Sequence, residues 1–173
     1  NPGLSFKLLN FVNEYSMLRS PIKSLQQALV YLGEDRVRKF ITYAIIKTFN
    51  SDKPNILSNM SLQRAKFFEM LLSSMGLTHK KELGYLCGML SMIDALLDSN
   101  MISILENLNI NQEIKDALLG ESGRLRDLIH LAEGVESSNW KMVDKYSKSL
   151  GVTEAQVINS SVESTLWADE ISP

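Results

Sequence analysis

A chain of 173 residues with 45% hydrophobic and 22% charged side chains holds enough apolar material for one sizeable globular core. A formal net charge of −2 excludes the basic excess that general nucleic-acid or acidic-lipid binders carry. One cysteine, Cys87, excludes an internal disulfide and fits a reducing compartment. No apolar run with a basic flank opens the chain, so no secretory signal is read and the expected location is cytoplasmic. Asn1-Pro2-Gly3 leads directly into a helical pattern without an initiator Met, which predicts a fragment of a longer protein.

In chain order, Leu4, Leu8, Leu9 and Val12 predict a short first helix, interrupted at Pro21. Ser24 with Gln27 three residues on is a capping-box pattern for a helix that runs to Gly33. Glu34 and Asp35 suit the N-terminal end of the next helix, whose apolar face is Val37, Phe40, Ile41, Ala44, Ile45 and Thr48. Asn50–Ser58, with Pro54, is the clearest linker. Ser58, Asn59 or Ser61 is the expected cap of a helix that turns Ala65, Phe68, Leu72 and Met75 inward and ends at Gly76.

Lys81–Asp98 reads as the central helix, because it is apolar on nearly all sides. Leu83, Leu86, Leu90, Ile93 and Leu97 share one face; Tyr85, Met89, Met92 and Leu96 share another. Glu82, Asp94 and Asp98 argue against a membrane span. Gly84 and Gly88, four apart, leave a strip where a neighbouring backbone packs closely. Shorter helices follow: Met101–Leu108, one capped by Asn111 and stopped at Gly120, and Leu125–Glu133. Asn139 opens a helix carrying Trp140, Val143 and Tyr146, closed by Gly151. Thr153 with Gln156 caps the last, through Val157, Ile158, Val162, Leu166 and Trp167. No stretch alternates as a strand does, so the fold class is all-α, a compact multi-helix bundle.

The opening NPGLSFKLLNFVN and the following SPIKSLQQALVYLGEDRVRKFI are similar to the N-terminal signature of the HDOD domain, a helical output module related to the HD phosphohydrolases. The resemblance continues over MSLQRAKFFEMLLSSMG and GYLCGMLSMIDALLD. LLGESGRLRDLIHLAEGVESSNWKMVDKYSKSLGV resembles the tail of the subgroup that follows an EAL domain, the fold associated with cyclic-di-GMP hydrolysis. The resemblance implies one HDOD-like unit over 1–173: an N-terminal helical part at 1–50, an HD-like core at 59–98 and C-terminal helices at 101–171. It also implies an EAL-like domain before residue 1 and a bacterial signalling context.

Active HD enzymes hold a divalent metal with a His-Asp pair on the central helix and ligands from neighbouring helices, so that bound water becomes a nucleophile at neutral pH. The resemblance sets Ser91 and Met92 where that pair stands, and Met60 at or near another ligand position. A hydroxyl and two thioethers do not replace imidazole and carboxylate for such a metal, and Asp94 alone offers one oxygen. The expectation is a non-catalytic module without metal or cofactor, acting through contacts with a protein partner or an adjacent EAL-like domain. A homodimer is left open.

Elsewhere, His79 and His130 lack partners at ligand spacing and read as a surface and a partly buried residue. Asp94 and Asp98, four apart, read as solvated carboxylates rather than an acid–base pair. Cys87 reads as an inert core thiol. Arg36, Arg38 and Lys39, with Lys47, give one helix a basic edge that reads as a solvated face or, alternatively, as a grip for an acidic partner surface; Glu34 and Asp35 at its N-terminal end disfavour phosphates. Most of the eight methionines read as core, with a methionine-lined partner groove as the minority reading. Two rivals stand beside the contact reading: a residual metal hydrolase built from Asp94, His79 and His130, and a DNA reader using Arg36, Arg38 and Lys39.

Overall fold

The computed structural model describes residues 23–24, 27–28, 30, 56–108 and 110–171. Within them the order is α1 (Ile56–Ser74), a 3-10 turn (Thr78–Lys80), α2 (Lys81–Leu90), α3 (Ile93–Leu97), α4 (Met101–Asn107), α5 (Gln112–Leu119), α6 (Arg124–Glu136), α7 (Trp140–Leu150) and α8 (Glu154–Ile171). No strand occurs among the described residues, so the all-α class holds. No helix among them is long and apolar enough to cross a membrane.

The bundle is organised on α1. Ala65, Phe68, Leu71 and Leu72 are fully buried there, and α2, α6 and α8 all pack against it. Gly88 explains how close α2 comes: a Cβ built on it stands 2.5 Å from the Arg64 carbonyl oxygen, so only glycine fits. At Gly84 the corresponding obstacle is the Leu72 Cδ1 methyl, the far end of a side chain. Both glycines do what their spacing predicts.

Local signals set most boundaries. Gln27 N donates to Ser24 Oγ at 3.2 Å, and Ala28 joins the core. Asn111 Oδ1 accepts from Glu113 N at 2.8 Å, and Asn139 Oδ1 from Met142 N at 3.3 Å. Gly76, Gly120 and Gly151 end their helices at φ +74°, +100° and +70°, where L side chains are strained. The Thr153–Gln156 capping box is reciprocal, at 2.8 and 3.2 Å.

Two expectations need correction. Lys81–Asp98 is not one helix: it breaks at Ser91–Met92 into α2 and the short α3. Ser91 Oγ donates to the Gly88 carbonyl at 2.7 Å, and Met92 leaves helical geometry at φ −122° and ψ 13°. The helix α1 also starts at Ile56, so Ser58, Asn59 and Ser61 lie inside it and Ile56–Ser58 is not linker. Ser58 and Ser61 are buried, and Ser61 Oγ donates to the Met89 carbonyl at 2.8 Å; a tertiary contact uses the hydroxyl that local reasoning assigns to a cap.

Candidate functional site

The break after α2 places Ser91 beside a buried cation. Arg64, on the face of α1 that also carries Ser61 and Phe68, is 8% exposed. Its Nε and one terminal nitrogen donate to the two carboxylate oxygens of Glu136, both at 2.7 Å, and the other terminal nitrogen donates to Ser91 Oγ at 3.1 Å. Such a fork-to-fork pair fixes both planes and is the strong form of an ion pair. Glu136 is the last residue of α6, and Ser91 follows the last residue of α2. The guanidinium therefore sits where two helix C-termini converge, the place where helix dipoles favour positive charge.

Burial pulls the Arg64 pKa down, but the hydrogen bonds and charge of Glu136 raise it, with further help from Glu133 and Asp94, and the net direction is up. The side chain stays a cation.

This geometry fits a metal poorly. The resemblance places the His-Asp pair at Ser91 and Met92, where the donors are one hydroxyl and one thioether. Ser91 Oγ is neutral and already engaged, accepting from Arg64 and donating to Gly88 O. A divalent ion beside the guanidinium would be repelled by it, and would gain the Glu136 carboxylate only by drawing it out of its fork-to-fork pair. Asp94 turns its Oδ1 to the Ala95 N–H at 2.8 Å. Among the described residues, no three His, Cys, Asp or Glu side chains converge on one point.

Beside this arginine runs a small open cleft with an empty volume of ≈ 290 Å³. Gln63, Arg64 and Phe67 of α1, Ala132, Val135 and Glu136 of α6, and Ser161, Ser164 and Thr165 of α8 line it. It contains no methionine, so it is not the methionine-lined groove of the minority reading.

The remaining candidates do not assemble with Ser91. His79 lies exposed in the 3-10 turn. His130 is half-buried on α6, stacked on Tyr146 with ring centroids 4.8 Å apart. Arg126 Nε donates to its Nε2 at 3.1 Å, which leaves Nδ1–H to donate to Glu133 Oε2 at 3.1 Å. Asp98 is the left-handed residue that ends α3, at φ 52°. Cys87 is fully buried, and desolvation pushes its thiol up to about 12. The basic edge at Arg36, Arg38 and Lys39 lies outside the described residues.

Sequence reasoning passed over Arg64 and Glu136. A signal for the first existed: Arg64 falls within the inward stripe of Ser61, Ala65 and Phe68, where an arginine needs an anion. Nothing local points to Glu136, 72 positions away.

The family model of the HDOD domain matches residues 1–113, which include α1, α2 and the Ser91 junction. The chain belongs to the HDOD domain family. Two curated relatives extend the likeness beyond that HDOD match. The chain is 36% identical over 171 residues to the cyclic di-GMP phosphodiesterase CdgJ of Vibrio cholerae, covering 98% of this chain and 40% of that protein. It is 32% identical over 159 residues to the uncharacterized protein YuxH of Bacillus subtilis, covering 88% of this chain and 38% of that one. The chain thus spans about two fifths of the length of the curated relatives it matches. No solved structure matches it.

Proposed function

We propose that this chain is a non-catalytic signalling module, one HDOD-like unit over 1–173, that works through contacts with an adjacent EAL-like domain or another protein. The observation that carries the reading is the Arg64 guanidinium at Ser91: the position that resemblance assigns to a metal-gripping pair is held by a built-in cation. The charge the two helix ends attract is supplied by the protein itself, and the Ser91 hydroxyl is engaged in two hydrogen bonds. Packing of α6 and α8 directly on α1 supports treating the C-terminal helices as part of the same unit.

The name of the Vibrio cholerae relative, a cyclic di-GMP phosphodiesterase, supports reading the module as part of cyclic-di-GMP signalling. About 60% of that protein lies outside the match, room for a phosphodiesterase domain separate from this module. In that arrangement the HDOD part reads or relays the state of its neighbour by shifting between packings. A cytoplasmic location follows from the same context.

The test is elemental analysis of the purified chain together with cyclic-di-GMP phosphodiesterase assays in added manganese. The expected result is sub-stoichiometric metal and no turnover. Stoichiometric metal with turnover would overturn the reading in favour of a residual hydrolase. The DNA-reading alternative predicts steeply salt-dependent binding that weakens when Arg36, Arg38 and Lys39 become Ala.

A further inference from the structure

The last helix is packed with its polarity reversed. Toward α1 it turns Val157, Ser160, Ser164 and Ala168, all nearly inaccessible. Outward it turns Ile158, Val162 and Leu166, which are 47%, 53% and 58% exposed. These three lie four residues apart, one line along the helix within about 40° on either side of Val162 at 3.6 residues per turn. Ser160, Ser164 and Ala168 let α8 lie close against α1 along this stretch, while Trp167 packs at the edge of the core against Tyr85 and Ile158, Val162 and Leu166 stay outside.

The rims of this line carry one sign of charge. Glu154 stands on one side, Glu163 and Glu170 on the other, and α8 contains no Lys or Arg. A second copy docking through the same line would bring these carboxylates against their own images with no cation on the helix to offset them. A partner with basic rims meets them favourably. Three apolar anchors at i, i+4 and i+8 match the spacing along one helix, not along an extended strand.

From this we infer that the outward face of α8 is a docking surface for an amphipathic helix with an apolar stripe and Lys/Arg rims, contributed by another domain or protein. The inference rests on the contact reading above and gives its partner a chemistry. Apolar anchors supply affinity, while the acidic rims select the partner and set its orientation.

The test uses the full chain and two synthetic helical peptides sharing one leucine pattern, with lysine or glutamate at the polar positions. Titration by fluorescence anisotropy is expected to show saturable, 1:1 binding of the lysine peptide that weakens with salt, and none of the glutamate peptide. Val162→Asp should weaken binding about tenfold or more, as loss of a central anchor does. The double variant Glu163→Lys/Glu170→Lys should move preference to the glutamate peptide. Circular dichroism of both variants should match the parent, since all three residues are exposed. Equal binding of the two peptides, or lysine-peptide binding indifferent to Val162→Asp, would overturn the inference. So would a dimer that Val162→Asp splits into monomers, which assigns the face to a second copy. Tighter peptide binding after Arg36→Glu/Arg38→Glu/Lys39→Glu would overturn it as well, by assigning the face to the chain's own basic segment. None of these outcomes bears on the metal and turnover assays, so the two readings fail separately.

Discussion

The junction at Ser91 and the outward face of α8 are opposites. At the junction a charged side chain lies almost wholly inside, and its donors meet a carboxylate and a hydroxyl at 2.7 to 3.1 Å. On α8 three inward positions are small, Ser160, Ser164 and Ala168, while Ile158, Val162 and Leu166 face water. An ion pair whose cation is nearly inaccessible costs desolvation that its attraction roughly repays, so it specifies a packing more than it stabilises one. An exposed apolar line does nothing for the isolated fold and has its physical use in contact with something else. The contrast teaches where to look: under the proposed reading, the junction holds a packing in place and the working contacts are made on a surface.

The largest expected effect tests how closed the junction is. Gly88→Ala drives a methyl into the Arg64 backbone and should cost roughly 3 kcal/mol or more, whereas Gly84→Ala meets only a Leu72 methyl that can turn away and should cost about 1 kcal/mol. Thermal melts of both variants decide; equal losses would mean that α1 and α2 are not locked at Arg64. Next comes the ion pair. Glu136→Ala strands a buried cation and should cost about 2–3 kcal/mol by urea unfolding. Arg64→Met combined with Glu136→Leu should come within about 1 kcal/mol of the parent, because both charges leave together. A double variant as unstable as Glu136→Ala would break the idea that the pair chiefly specifies packing.

A third measurement uses pH. An unfolded thiol ionises above its ordinary 9.0, while buried Cys87 keeps its proton up to about 12. Between those values the folded state holds the extra proton, so stability should fall as pH rises, by about 1.4 kcal/mol per unit from this group. The difference between the parent and Cys87→Ala isolates it from lysines and tyrosines titrating in the same range. Parallel stability curves from pH 9 to 11 would show that the thiol reaches water. The smallest effect sharpens the other side: Val162→Asp should leave the melting free energy within about 0.5 kcal/mol, as for an exposed site. A larger loss would place Val162 in the core.

What the sequence discloses follows the range of the interaction. Asn111, Asn139, Thr153 and the helix-ending glycines act on groups within a few residues, and their elements stand where their patterns predict. The glycine spacing in α2 was legible for a related reason, since a missing side chain means closeness whatever the neighbour. Interactions across the bundle were not legible. Ser61 looks like a cap but bonds to Met89, and Ser91 looks like a mid-helix residue but accepts from Arg64 of α1. The outward aim of Ile158, Val162 and Leu166 was equally hidden, because an apolar line at helical spacing does not say which side of it the core lies on. Family likeness drew attention to Ser91 through the ligands it lacks, and gave no sign of the Arg64 side chain that reaches it from another helix.

The pairing of α8 with α1 has one more consequence. Gln156 Nε2 donates to the Ser74 carbonyl near one end of the antiparallel pair, and Asn59 Nδ2 donates to Asp169 near the other, each at 3.3 Å. Between these ties the contact side of α8 repeats a small residue every four positions, Ser160, Ser164 and Ala168. A groove cut at regular intervals fits nearly as well one notch along, so shape alone is a weak ruler for how far the rod has slid. The two end bonds, with Trp167 seated against Tyr85 and under Lys66, mark its stopping point, much as pins fix a bolt whose thread would accept several depths.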